Sequence, residues 1–226
     1  MKKQFFLSVL SVSVLLASTS CTKSGTSDPA IDKTNDGTFK VFTEGKVTTV
    51  QNLIADTIIG VSAMGQPYGS GRFSFFSLEN KVKVPNTDSA TQNWDIALKG
   101  TTILTNGGTS GPGGGGAFVW VGAFDNLTSI PADSTFKTDN APSYAITTGS
   151  GKGWYNYDGP TNLITALPGR VLVIRTAKGR YAKVEILNYY KKGLTPAATD
   201  PDDIKMKNQR YYLLRYTYQP DGSKNF

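Results

Sequence analysis

The sequence predicts an all-β domain, and three observations carry that expectation. Short β-branched and aromatic runs recur along the chain at strand length, separated by Gly, Pro, Asn and Asp turn signals. No stretch of ordinary helix length carries an apolar stripe with a period of about 3.6 residues. With 38% hydrophobic and 18% charged residues, the 226-residue chain has the composition of a protein with a packed core.

Taken in order, Val41-Phe42 and Val47 to Val50 open the β pattern, followed by Thr57 to Val61. Arg72 to Leu78 is aromatic and β-prone, and Lys81-Val82-Lys83-Val84 alternates strictly. Ser89, with Gln92 three residues later, suits the cap of a short helical turn before Trp94. Asn93 to Leu98, Thr101 to Thr105 and Ala117 to Val121 are the next strands. Arg170 to Thr176 is almost continuously apolar, as expected of a strand covered on both faces. A turn at Ala177 to Arg180 returns it to Tyr181 to Tyr190, where Ala182, Val184 and Ile186 share one face and Lys183 and Glu185 the other. Asp202 to Lys207 reads as an exposed insertion before a last strand, Tyr211 to Gln219. The Tyr189-Tyr190 and Tyr211-Tyr212 pairs are expected to face each other across strands.

Ahead of this β domain, placed at 39–226, the chain carries a different kind of signal. Lys2 and Lys3 precede an apolar stretch from Phe5 to Ala17 that is too short for a membrane span. Small residues then lead to Cys21, the single cysteine of the chain. The pattern resembles a bacterial lipoprotein leader with a loose lipobox, of the form common in Bacteroidetes. Residues 1–20 are then removed, Cys21 is lipidated, and 21–38 is a polar tether. The alternative is ordinary signal-peptidase cleavage, which leaves a free thiol.

Composition also excludes chemistry. The chain has no histidine, so Ser-His-Asp and Cys-His pairs, His-ligated zinc and an imidazole base are all absent. One cysteine makes neither an internal disulfide nor a metal cluster. The formal charge of +7 comes from Lys and Arg scattered along the chain, which argues for solubility and against nucleic-acid binding. Asp95, Asp125, Asp158 and Glu185 show no spacing that implies a catalytic pair, and Asp95 and Asp158 look like strand-end residues accepting backbone N–H bonds. The glycine-rich stretch Asn106 to Gly116 lacks the Lys-Ser/Thr of a phosphate loop and is expected to be a flexible hairpin loop able to close over a ligand or partner. No enzymatic activity is expected.

One region carries a family signature. Gly153-Trp154-Tyr155-Asn156-Tyr157-Asp158, the run Pro168-Gly169-Arg170 to Thr176, Gly179 to Ile186 and the terminal Tyr211-Tyr212 to Gly222 resemble the HmuY family of Bacteroidetes lipoproteins, as does Trp94-Asp95-Ile96-Ala97. The likeness runs from about residue 39 to the end. It implies a single hand-shaped, antiparallel β domain, lipid-anchored to the outer membrane and facing the cell surface. Such a protein binds haem or a related tetrapyrrole and delivers it to a TonB-dependent transporter. Family members grip the iron with two axial His, or Met in some relatives. The position of one such ligand reads Thr161-Asn162 here, and the loop region between Phe124 and Thr148 expected to hold the other has neither His nor Met.

Haem iron also accepts Tyr and Met. The ligand-binding candidates are therefore Asn162 at the matching position, Tyr144, Trp154, Tyr155 and Tyr157 around it, and Met64 in a loop-like segment from which a ligand can project. Met206, in the insertion, is the weaker methionine candidate. Trp154, Tyr155 and Tyr157 suit stacking on a flat ligand, while the structural alternative has Trp154 anchoring a strand in the core. The other functional reading is a lipoprotein of this type that has lost haem ligation and binds a different ligand or a protein partner.

Overall fold

Two tight hairpins, at 40–54 and 170–190, join with the last strand at 209–219 in one sheet, and that sheet sets the rest of the architecture. The computed structural model describes residues 35–56, 58–64 and 67–226; the expected leader, the lipidation at Cys21 and most of the tether lie outside the described residues. The first strands are β1 (Lys40–Glu44), β2 (Val47–Ile54), β3 (Ile58–Val61) and β4 (Pro67–Gly69). Next come β5 (Ser74–Ser77), β6 (Val82–Val84), β7 (Ile96–Lys99), β8 (Thr102–Thr105) and β9 (Gly116–Val121). The second half contributes β10 (Tyr155–Asp158), β11 (Leu163–Ala166), β12 (Arg170–Arg175) and β13 (Tyr181–Tyr190). A seven-residue helix, α1 (Asp202–Asn208), precedes the last strand, β14 (Gln209–Gln219).

A six-stranded antiparallel sheet has the order β1-β2-β14-β13-β12-β9, and a four-stranded sheet the order β6-β5-β7-β8. Two further hairpins, β3–β4 and β10–β11, stand apart from both. The main core lies between the sheets. Val50, Leu172, Ile174, Val184, Leu214 and Tyr216 from the larger sheet meet Phe76, Leu78, Ile96, Leu98 and Ile103 from the smaller. The Tyr216 hydroxyl donates to the Leu78 carbonyl at 2.9 Å, so one buried phenol bonds the sheets together.

The outer face of the larger sheet, where Lys183 and Glu185 lie opposite Ala182, Val184 and Ile186 as expected, is covered too. Lys183 is buried: its ammonium donates to the Phe124 and Leu127 carbonyls, both at 2.9 Å, and stands 4.4 Å from the Phe124 ring centroid. Burial pulls its pKa below the usual lysine value. Beside it, Arg215 Nε donates to Glu185 Oε2 at 2.7 Å, across directly opposed positions of β13 and β14. The segment from Phe124 to Phe136 and the terminal Phe226 supply the cover, against Val171, Val173 and Phe118.

The turn between β12 and β13 forms as expected, with Gly179 at φ 77° and its N–H on the Thr176 carbonyl. Two local expectations fail. No helix forms at Ser89; a 3₁₀ turn at Asn86–Asp88 comes before it, and the Ser89 carbonyl accepts the Trp94 indole N–H at 2.9 Å. The glycine-rich stretch is tightly bonded, not a flexible loop. Asn106, fully buried, donates to the Thr91 and Trp94 carbonyls and accepts from the Gly113 N–H. Its backbone carbonyl accepts from Gly115 at 2.8 Å. A Cβ on Gly107 would lie 2.2 Å from the Gly115 carbonyl oxygen, so the glycines permit two backbone segments to touch.

Asp95 bridges the layers as a strand-end acceptor. Its carboxylate takes the Leu78 N–H at 2.8 Å and the Ala177 N–H at 3.2 Å, and burial pushes its pKa up. The other three carboxylates serve as structural acceptors. Asp125 and Glu185 pair with Arg215, and Asp158 accepts from the Thr161 hydroxyl.

Candidate functional site

The β10–β11 hairpin holds most of the residues expected to bind a ligand, and their bonds show what each one does. Trp154 enters the hairpin from the core side. It is 2% exposed, its indole N–H donates to the Thr101 carbonyl at 3.0 Å, and its ring lies 5.1 Å from both Tyr155 and Tyr212. This burial agrees with the structural alternative, Trp154 as an anchor in the core. Tyr155, Tyr189 and Tyr212 pack around its ring, leaving almost no ring surface exposed. Tyr155 is half-buried against the same cluster. Tyr157 points outward, 46% exposed, and its hydroxyl donates to the Asn162 side-chain carbonyl at 2.7 Å.

Asn162 holds the tight turn at φ 56°, a conformation that Asn tolerates better than most residues. Its amide nitrogen donates to Asp202 Oδ2 at 3.1 Å. Both ends of the amide are therefore engaged within the protein, and the expected ligand position acts as a clasp on α1. Lys205 completes the clasp. Only 6% exposed, it donates to the Thr161 carbonyl at 2.8 Å and the Ala198 carbonyl at 2.9 Å, with Asp202 Oδ1 at 3.4 Å.

Tyr144 stands elsewhere. It packs on the outer cluster of Phe73, Phe75 and Trp94, whereas Tyr155 rests on the main core, so no single aromatic pocket gathers the tyrosines. Tyr144 does line a cavity of about 480 Å³ whose other walls, Pro142 apart, are polar, among them Lys137, Ser143, Thr147, Thr148 and Lys152. Met64 lies past the end of β3, 89% exposed.

A second cavity, of about 290 Å³, opens between β3 and α1. Ile58, Val61, Met206 and Tyr211 form its apolar walls, and Asp203, Lys207 and Gln209 its polar edge. Helical spacing explains the division of labour along α1: Asp202 and Lys205 reach the hairpin clasp, while Asp203, Met206 and Lys207 reach the cavity. Asp56 fixes the opposite wall. It accepts from the Ser70 hydroxyl at 2.7 Å and the Gly71 N–H at 3.1 Å, and Arg210 stands 3.7 Å from its carboxylate while donating to its carbonyl at 2.7 Å. Both ends of the β3–β4 hairpin are thereby tied to the start of β14. Lys191 lies over the Tyr211 ring at 5.5 Å.

The two methionines stand in different settings. Met64 stands in solvent, and Met206 lines an apolar wall, because Asp202 to Lys207 is a helix and not a bare insertion. The signal for that helix was present. Pro201 precedes two acidic residues in the first turn, and Lys205 and Lys207 occupy the last, the arrangement that the helix dipole favours. Among the described residues, no group of three or more Cys, Asp or Glu side chains is placed to hold a metal ion, and no helix is long and apolar enough to cross a membrane.

The model of a protein family described as HmuY protein matches residues 71–200, more than half of the chain. Among solved structures, a protein of Bacteroides fragilis described as a lipoprotein is 16% identical, with 80% of this chain and 96% of that chain covered at a TM-score of 0.45. A protein of Bacteroides vulgatus described as HmuY-like and haem-binding is 17% identical, covering 76% and 92% at a TM-score of 0.45. The apo form of an HmuY analogue from Tannerella forsythia is 16% identical, covering 80% and 97% at a TM-score of 0.41. No curated protein matches the sequence.

Proposed function

The chain belongs to the HmuY family, and on that premise we propose that it is a binding module, not an enzyme, that captures haem or a related tetrapyrrole. Lipidated at Cys21 and held on the outer membrane at the cell surface, it passes its cargo to a TonB-dependent transporter. The observation that carries this reading is the family match over residues 71–200, which takes in β5 to β13 and the β10–β11 hairpin.

The residues present fit haem in one place better than in the other. At the β10–β11 tip there is no His or Met, and the exposed phenol of Tyr157 is bonded to Asn162. The cavity between β3 and α1 offers apolar walls with a thioether and a phenol, both known haem-iron donors. A second reading draws on the larger cavity beside Tyr144. Its hydroxyls and its two lysines suit a polar or anionic ligand, as expected if haem ligation has been lost and another ligand is bound.

A haemin titration of the mature chain, carrying Cys21→Ser to remove the competing thiol, separates the two. Haem capture predicts a saturable Soret shift in oxidised and reduced forms, unlike that of haemin with an unrelated β protein. A spectrum indistinguishable from that control would sink the haem reading and leave the polar ligand. In the same titration, Tyr155→Phe and Tyr157→Phe are expected to bind as the parent does, since one ring is packed and the other hydroxyl is engaged.

A further inference from the structure

We infer that one end of the larger sheet is a membrane-contact face, where Lys191, Lys192, Leu194 and Ile204 meet the anionic surface of the bilayer that holds Cys21; the inference rests on the anchoring reading above. Strand register brings the starts of β1 and β14 together with the ends of β2 and β13. Lys40 pairs with Gln51, Ile54 with Tyr211, and Tyr190 with Gln209. Residue 35 joins the domain at this same end, and one buried amide fixes it to the turn that follows β13. Asn52, 2% exposed, donates to the Asn35 side-chain carbonyl at 2.7 Å and to the Thr38 carbonyl at 2.8 Å, and it accepts from the Lys192 N–H at 2.8 Å. The Lys191 side chain lies against Gly37, where an added Cβ would stand 2.6 Å from its Cε. Asn35 is 14 residues beyond Cys21, a length that reaches about 50 Å at most. A lipidated Cys21 therefore keeps this end of the domain within that reach of the lipid, at the raised effective concentration of a tethered group.

The face itself has the chemistry of lipid contact. A third cavity, of about 480 Å³, has Lys191, Lys192, Leu194, Pro196 and Ile204 in its lining. Leu194 is 67% exposed and Ile204 39%, so two branched apolar side chains stand in water beside two cations. Helical spacing gives α1 a third side here. Ile204 and Asn208, four residues apart, border this cavity, whereas Met206 borders the cavity beside β3 and Lys205 reaches the hairpin clasp. Among the described residues, neither Lys191 nor Lys192 takes part in an ion pair. The neighbouring carboxylates are already engaged. Asp200 accepts from the Ala197 N–H at 2.8 Å, Asp202 from Asn162, and Asp203 lies 3.3 Å from Lys207. Unpaired cations beside exposed apolar groups suit lipid phosphates and the acyl boundary beneath them, and each such cation strengthens binding to an anionic surface about fivefold.

The single cysteine supplies the test. The mature chain is coupled through Cys21 to a maleimide-headgroup lipid, on vesicles of phosphatidylcholine alone or of equal parts phosphatidylcholine and phosphatidylglycerol, and amide exchange is followed by mass spectrometry. Exchange at 191–196 and 204–208 should slow about fivefold or more on the anionic vesicles relative to the neutral ones. The turn at 177–180, at the far end of the sheet, should not change. Lys192→Glu and Leu194→Glu, both at exposed positions, should lose the slowing while still coupled, with far-UV circular dichroism confirming the fold. Equal exchange on both kinds of vesicle, or slowing that survives both variants, overturns the face and leaves the anchor standing. Slowing at 191–196 in the uncoupled chain as its concentration rises assigns the face to a second copy and also overturns it. The anchor is checked apart, by the mass of the N-terminal peptide of the full chain expressed in a Gram-negative host. A Cys21 without acyl chains there overturns the anchor and the face together.

Discussion

Helix α1 separates two regions built from similar side chains that behave in opposite ways. On one side, Asp202 and Lys205 clasp the β10–β11 tip, where Tyr157 and Asn162 are already bonded within the protein. On the other side, Asp203, Met206 and Lys207 border a cavity with apolar walls from Ile58, Val61 and Tyr211. Aromatic rings beside amides look like a binding surface in one dimension. In three dimensions the rings of Trp154, Tyr189 and Tyr212 pack against one another, and the amide of Asn162 closes a turn. A site needs groups whose bonding is incomplete, and a residue's type does not say whether its bonding is complete.

The comparison breaks most visibly at Trp154. As a core residue, Trp154→Ala should lower the unfolding free energy by about 3–5 kcal/mol in urea titrations. A small stability change accompanied by a large loss of ligand affinity would instead make it a contact residue and return the site to the hairpin.

Alkaline pH probes the same aromatic block. Burial raises the pKa of Tyr189, Tyr212 and Tyr216 above the ordinary value of 10.0. Because the folded chain holds these protons more tightly, their contribution is fully present below pH 10 and is lost as pH rises from there toward the folded values. Each should cost about 1.4 kcal/mol of stability per pH unit in that window. Phenolate absorbance should therefore appear together with unfolding. Ionisation of these three at pH 10 in a fully folded chain would show that the block is open to solvent.

The clasp gives the smallest effect. Lys205→Ala leaves the Thr161 and Ala198 carbonyls without their donor and should cost about 2 kcal/mol. Amide exchange should quicken at 159–162 and stay unchanged in β3. Equal loosening on both sides of α1 would mean that the clasp and the cavity form one unit, which sharpens the comparison by making the helix the link between them.

Much of the fold was legible locally. The strictly alternating run at β6, the apolar run at β12 and the returning β13 all form where their patterns indicate, because strand propensity and side-chain alternation are properties of neighbouring residues. The β10–β11 hairpin was harder to see, since Tyr155 to Asp158 is mostly exposed and carries no buried face. The cover over the outer face of β13 was not legible, because Phe124 to Phe136 and Phe226 lie far away in the chain. The engagement of Asn162 was hidden for the same reason: its amide nitrogen donates to Asp202, 40 residues on.

The sequence by itself determined the β class, the strand positions of the larger sheet, the absence of imidazole chemistry and the family. It also showed that haem, if bound, needs an iron donor other than histidine. Only the tertiary structure decided which residues remain free to act. Trp154 went to the core, Asn162 to a clasp and Met206 to an apolar wall, through contacts such as Arg210 with Asp56, separated by 154 positions. Local patterns set backbone conformation because they depend on neighbouring residues. Bonding and burial depend on partners brought together from distant parts of the chain, and those partners decide whether a side chain is used up or left open to a ligand.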